Sequence, residues 1–89
     1  MAHSMAREQI CDVVKEQIVN VLPHLSKDRI AAPMRLKDLG ADSVARADIY
    51  ALTMESLGLD LPLVAFASVA DVGGLVDLLC GALEIARGR

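Results

Sequence analysis

Apolar residues recur at three- and four-residue steps along the first part of the chain, over residues 5–22. This spacing is typical of a helix with one apolar face, and charged residues occupy other positions of the same segment. The sequence therefore predicts an amphipathic first helix with these apolar positions: Ile10, Val13, Val14, Ile18, Val21 and Leu22. Pro23 ends this helix, because a proline has no N–H to continue the helical hydrogen bonds.

The residues between this helix and Ser43 predict a long loop, since they contain Pro33 and four basic side chains. A free loop of this length is unusual in a compact domain. We therefore expect scattered apolar residues to pin the loop to the core, namely Leu25, Ile30, Met34 and Leu36.

Three further helices follow the loop. Helix-compatible residues run over Ser43–Leu57 without a proline or glycine, and Gly58 suits the left-handed turn that ends a helix. Pro62 suits the first turn of a short helix over roughly residues 63–68. Asp71 can cap a last helix, whose apolar residues continue at helical spacing over residues 72–83.

Composition favours helices packed on helices and excludes several classes of protein. With 89 residues the chain has room for one domain, and its only aromatic residues are Tyr50 and Phe66, so aliphatic side chains must fill the core. The predicted fold is all-α, a small four-helix bundle with three major helices and one short helix. A net charge of −3 argues against nucleic-acid binding. The longest apolar stretch, residues 61–70, is too short for a membrane span.

Candidate catalytic and metal-binding groups are sparse. Cys11 and Cys80 fall in predicted helices without metal-ligand spacing, and we interpret them as small buried hydrophobic residues rather than a disulfide. His24 has no second ligand nearby in sequence. There is no phosphate-cradling glycine loop, nucleophile elbow or paired-carboxylate site. The sequence predicts no metal site and no enzymatic activity.

The candidate chemistry lies in residues 39–44, Leu-Gly-Ala-Asp-Ser-Val, where the loop meets the second helix. Asp42 is a good helix cap, because its carboxylate can accept from free N–H groups of the first turn. Ser43 then lies at the positive end of the helix dipole, where a phosphate ester on its oxygen would be stabilised. This arrangement predicts an attachment point. Asp-Ser is also a common capping pair, so the motif alone equally fits a plain helical interaction module.

The motif resembles the modification site of acyl carrier proteins, and the order of predicted helices resembles that of carrier domains over residues 5–83. The resemblance implies that Ser43 carries a 4′-phosphopantetheine arm derived from CoA, with Asp42 as the cap beside it. Residues 42–48, 54–57 and 61–63 are further similar to the free-standing donor carriers of polyketide β-branching cassettes. That likeness implies an acetyl or propionyl thioester, donated to an HMG-CoA-synthase-like enzyme.

Partner recognition is expected on the second helix beside Ser43. An apolar stripe is flanked by two acidic residues and one arginine, giving the candidate recognition residues Val44, Arg46, Ala47, Asp48, Ala51 and Glu55. Part of this stripe could equally belong to the core. Arg46 either pairs with the synthase or forms an intrahelical contact with Asp42 or the Tyr50 hydroxyl.

Residues 1–4 are interpreted as a cloning remnant, because a second methionine, Met5, follows them. The resemblance sets the remaining expectations, with residues 5–86 as the carrier domain and residues 87–89 as a C-terminal tail. Expected partners are a phosphopantetheinyl transferase, an acyl-loading enzyme and the HMG-CoA-synthase-like enzyme, met by a cytoplasmic monomer. The alternatives are a general type II polyketide or fatty-acid carrier and a non-carrier helical interaction module.

Overall fold

A computed structural model of the chain describes residues 6–87, which form three α-helices and two short 3₁₀ turns. The helices are α1 (Arg7–Val21), α2 (Ser43–Leu57) and α3 (Val72–Arg87), and the 3₁₀ turns are Lys27–Arg29 and Leu63–Phe66. Within residues 6–87 there is no β-strand, only an isolated antiparallel bridge between Arg35 and Asp71. The predicted all-α fold is confirmed.

The predicted elements differ from the observed ones mainly at their ends. The bounds of α2 are those predicted, with Gly58 in the left-handed conformation at φ 69°. The short helix is a 3₁₀ turn, and α3 continues beyond residue 83 into the segment interpreted as a tail. The 3₁₀ turn at Lys27–Arg29 was not predicted. Residues 1–4, interpreted as a cloning remnant, lie outside the described residues, as do residues 88–89 of the tail.

The core lies where α1 packs against both α2 and α3. Apart from Thr53, its large fully buried side chains are aliphatic, as the composition requires: Ile10, Val14, Ile18, Leu36, Ile49, Val72, Leu75, Val76 and Leu79. Each such side chain contributes about 1.5–3 kcal/mol when it leaves water. Cys11 and Cys80 are free and half-buried, and both pack on this core.

The two aromatic rings stack on one another. The ring centroids of Tyr50 and Phe66 are 4.5 Å apart and the ring planes differ by 8°. Tyr50 belongs to α2 and Phe66 to the second 3₁₀ turn, so the stack fastens this turn against α2. An aromatic pair of this kind adds about 0.5–1.5 kcal/mol beyond the area that it buries.

Backbone hydrogen bonds attach the long loop to the start of α3. The N–H of Leu36 donates to the carbonyl of Ala70 at 3.2 Å, and the N–H of Val72 donates to the carbonyl of Met34 at 3.0 Å. The N–H of Gly73 donates to the carbonyl of Ala32 at 2.8 Å. Orphan donors of the first turn of α3 are thereby satisfied by the loop.

Three of the four expected apolar anchors of the loop are at least partly buried, and one is not. Ile30 and Leu36 are buried and Leu25 is half-buried against the core. The prediction for Met34 is wrong, because its side chain is 38% exposed. Its sulfur accepts from the N–H of Ala31 at 3.4 Å, so it supports a local turn instead of the core.

The close approach of the loop to α3 predicts opposite effects for two glycine substitutions. A Cβ added at Gly81 meets nothing within 4 Å, so Gly81→Ala should raise the free energy of unfolding by about 0.5–1 kcal/mol. A Cβ added at Gly73 would lie 3.2 Å from the Ala32 oxygen, which the Gly73 N–H itself holds in place. We expect Gly73→Ala to be less stable than Gly81→Ala by about 1 kcal/mol or more.

Urea unfolding of both variants, followed by circular dichroism, measures this difference. Gly81→Ala is the matched control, since it makes the same chemical change in the same helix. Equal stabilisation by both substitutions would show that the loop yields freely at Ala32.

Candidate functional site

A tight turn places the start of α2. Gly40 adopts a φ of 102°, which side-chain-bearing residues rarely adopt, and the buried Ala41 follows it. The N–H of Gly40 donates to the carbonyl of Lys37 at 3.0 Å, and the N–H of Ala41 donates to the carbonyl of Leu36 at 3.1 Å. The turn therefore fixes the position of the two residues that come next, Asp42 and Ser43.

Asp42 caps α2 and Ser43 is the first residue of the helix. The Asp42 Oδ1 accepts from the N–H of Ala45 at 2.8 Å, which satisfies one orphan donor of the first turn. Ser43 is exposed. Its hydroxyl lies at the positive end of the helix dipole, so the site suits an anionic ester on the serine oxygen.

Arg46 fastens the turn to the helix. Its Nη1 donates to the carbonyl of Ala41 at 2.9 Å, and the side chain is half-buried. Within the part of the chain that the structure describes, the guanidinium donates to neither the Asp42 carboxylate nor the Tyr50 hydroxyl. The observed contact is thus a third arrangement beside the two expected from sequence. A guanidinium carries five N–H donors, so others stay available to a ligand.

The candidate recognition residues lie on the solvent side of α2. Val44 is 71% exposed, while Asp48, Ala51 and Glu55 are exposed and Ala47 is half-buried. The core side of the same helix consists of other residues, namely Ile49, Tyr50 and Thr53. The stripe beside Ser43 is therefore surface and not core.

A basic cleft adjoins Ser43. Ser43 shares a shallow depression with Lys37 and Arg46, and both of these cations also line a neighbouring cleft of about 380 Å³. Arg35 and the two stacked aromatic rings line the same cleft. The basic character of the loop is evident from the sequence, but the cleft is not. The cleft joins residues from the loop, α2 and the second 3₁₀ turn, which only the tertiary fold brings together.

The environment of Tyr50 shifts the pKa of its phenol. Burial raises the pKa of Tyr50 above its usual value of 10.0, because the charged phenolate loses hydration, while the nearby Arg46 guanidinium opposes this shift. The raised pKa favours the neutral phenol in the folded protein. The neutral phenol therefore contributes to the free energy of unfolding. This contribution is fully present below pH 10.0 and is lost as the pH rises through the folded-state pKa of Tyr50.

Titration of Tyr50 tests the position of Arg46. Tyr50 is the only tyrosine and the chain has no tryptophan, so absorbance at 295 nm reports this phenol alone. We expect a midpoint above 10.0 for the folded protein and a further increase for Arg46→Gln, because the substitution removes the cation that favours phenolate. A lower midpoint in Arg46→Gln would place the guanidinium away from the ring.

The described residues offer few other chemical groups. Within residues 6–87, no three His, Cys, Asp or Glu side chains are grouped so as to hold a metal ion. His24 is exposed on the loop. None of the helices described has both the length and the apolar character needed to cross a bilayer.

The fold and the site together define a small helical protein that presents one serine at a capped helix start beside a cationic cleft. No family model matches the chain. The chain is 34% identical over 82 residues to the polyketide biosynthesis acyl-carrier-protein AcpK of Bacillus subtilis (strain 168), a match that covers 92% of this chain and 100% of the relative.

A solved structure is similar as well. The chain matches a chain from the crystal structure of the curacin biosynthetic pathway HMG synthase in complex with acetyl donor-ACP, with a TM-score of 0.79 and 34% identity. The match covers 86% of this chain and 99% of that chain. This protein belongs to the acyl carrier protein family. It is a carrier and not an enzyme, and the family expected from the sequence is confirmed.

Proposed function

We propose that this protein carries an acyl group in polyketide biosynthesis, on a 4′-phosphopantetheine arm attached to Ser43, and that it donates acetyl to an HMG-CoA-synthase-like enzyme. The observation that carries this proposal is the exposed Ser43 at the Asp42-capped start of α2. When bound, the arm supplies a thiol that holds the acyl group as an activated thioester.

The residues around Ser43 suit a phosphate ester. Attachment forms a bond between the serine oxygen and the pantetheine-side phosphorus of CoA, the hydroxyl proton is released, and 3′,5′-adenosine bisphosphate leaves. The new phosphodiester carries one negative charge. The dipole of α2 and the cations Lys37 and Arg46, which line the same depression as Ser43, all stabilise an anion there.

The protein presents the arm and does not catalyse the reaction. Asp42 keeps the first turn of α2 intact, and Arg46 holds the turn that precedes it. A flexible arm fixed at this point keeps the acyl group at high local concentration near a docked enzyme. The rigid bundle therefore determines where the arm starts, and the partner enzyme supplies the chemistry.

The donor role is supported by the relatives. AcpK is named as a polyketide carrier, and the solved complex pairs an HMG synthase with an acetyl donor carrier. Since 86% of this chain matches 99% of the chain in that complex, the matched chain is as short as this one, which fits the carrier component. The shared identity of 34% extends over nearly all of it.

The exposed face of α2 is the proposed recognition surface for the synthase. It combines an apolar stripe with charged residues beside Ser43, namely Val44, Arg46, Ala47, Asp48, Ala51 and Glu55. The transferase and an acyl-loading enzyme are the other proposed partners. We further propose that the carrier acts as a cytoplasmic monomer, since it meets these enzymes in turn.

Intact-protein mass spectrometry tests the attachment. After incubation with CoA, Mg²⁺ and a broad-specificity phosphopantetheinyl transferase, the wild-type protein should gain one phosphopantetheine and Ser43→Ala should gain none. Circular dichroism should show both proteins folded, because Ser43 is exposed. No gain on folded wild type, while a known carrier is modified in parallel, would favour the interaction-module alternative.

Acyl transfer tests the donor role. The acetylated protein, incubated with an HMG-CoA-synthase-like enzyme and an acetoacetyl-loaded acceptor carrier, should lose acetyl as the acceptor gains the mass of the HMG product. An acetylated fatty-acid carrier is the control and should react much more slowly. If the acetyl group stays on this protein while a known donor carrier reacts, a general polyketide or fatty-acid carrier is the better assignment.

A further inference from the structure

The cations beside Ser43 are concentrated on one surface, although the chain carries a net charge of −3. Arg35, Lys37 and Arg46 line the cleft described above, and no acidic side chain lines it. In the neighbouring depression Asp42 is present, but its Oδ1 is already engaged as the cap of α2. Within residues 6–87, Arg35 and Lys37 form no ion pair, so their charge is available to a ligand.

Exposed apolar side chains border the same cleft. Leu63 lines it and is 58% exposed, and the next residue, Val64, is 76% exposed. Both belong to the second 3₁₀ turn, which the aromatic stack fastens to α2. Large apolar side chains that are adjacent on a surface and fixed in place are typical of a protein-binding surface.

We propose that this cleft is a docking surface for an acidic patch on the enzyme that takes the acyl group, with carboxylates of that enzyme facing Arg35 and Lys37 and an apolar side chain covering Leu63. The inference rests on the proposed carrier function and extends it, because it adds the loop and the second 3₁₀ turn to the recognition surface of α2. Charge complementarity and the adjoining apolar surface both favour such a partner.

The arm's own phosphate is a less suitable occupant of the whole cleft. The phosphodiester carries one charge, and Lys37 and Arg46 already lie in the depression with Ser43. Arg35 lines the cleft but not that depression. A phosphate also gains nothing from contact with the exposed apolar side chains of Leu63 and Val64. A protein surface with acidic and apolar residues matches all of these features.

The proposed surface also orients the partner. The acidic residues Asp48 and Glu55 are exposed on α2, while the cations flank its N-terminal end. A partner with the complementary arrangement would be attracted in one orientation and repelled in the reverse one. The charge pattern therefore favours one orientation of the partner on α2.

Charge reversal tests the surface directly. The double variant Arg35→Glu/Lys37→Glu is compared with Lys15→Glu/Arg29→Glu, which makes the same change in net charge at positions that do not line the cleft. The probe is the HMG synthase of the curacin pathway, and the carriers are used in the acetylated, arm-bearing form. Stopped-flow mixing at 50 mM and 500 mM NaCl gives the association rate.

We expect the cleft variant to associate roughly tenfold or more slowly than wild type at low salt, and the control variant to stay within about threefold. Added salt should slow the wild type and reduce the difference between the proteins. The ³¹P chemical shift of the arm should be the same in the free wild type and in a free Arg35→Glu single variant, because Arg35 does not line the depression that contains Ser43. Circular dichroism verifies that each variant is folded.

Three results would overturn the proposal. Equally slow association of both double variants would show an effect of net charge without a defined surface. An unchanged association rate in both would show that the cleft takes no part in docking. A changed ³¹P shift in Arg35→Glu, together with an unchanged association rate of the cleft variant, would assign Arg35 to the arm's phosphate. The carrier function itself fails separately, since it is judged by the mass gain at Ser43 and by acetyl transfer from the wild type.

Discussion

The backbone hydrogen bonds between the long loop and the start of α3 are the constraint on which the site depends. Ordering each loop residue costs about 1–2 kcal/mol in backbone entropy, and a loop this long forms no helix of its own beyond one 3₁₀ turn. The bonds from Leu36, Val72 and Gly73, with the burial of Ile30 and Leu36, offset that cost. Because the loop is fixed, the Gly40–Ala41 turn is fixed, and Ser43 starts α2 at a defined point.

The hydrogen bonds between the loop and α3 stabilise both of these segments. Two N–H groups of the first turn of α3 donate to loop carbonyls, and a third, from Gly74, donates to the Asp71 Oδ1 at 2.7 Å. A side chain at position 73 would press on the Ala32 carbonyl, so glycine there permits the close approach even though it weakens the helix locally. The position of the serine on α2 is thereby coupled to the packing of α3, although the two helices are distant in sequence.

Local signals in the sequence predicted α2 and its serine, whereas features made by tertiary contact were not predictable. Asp42 and Gly58 are a cap and a stop that act within a few residues, so the bounds of α2 followed from them. The 3₁₀ turn at Lys27–Arg29 is too short to show a period, and the role of Met34 could not be read from its hydrophobicity. The basic cleft could not be predicted, because Arg35 and Phe66 come to line it together only in the tertiary fold.

Under the proposed function the carrier must be selected by its surface, because an acyl thioester is chemically the same on any carrier. Its core is small and aliphatic, and the aromatic stack holds the second 3₁₀ turn against α2, so the surface around Ser43 is presented on fixed elements. Rigid presentation lowers the entropy lost on docking, which favours recognition through a few charges and apolar contacts. Such contacts favour fast association over tight binding, and the proposed succession of partner enzymes requires that balance.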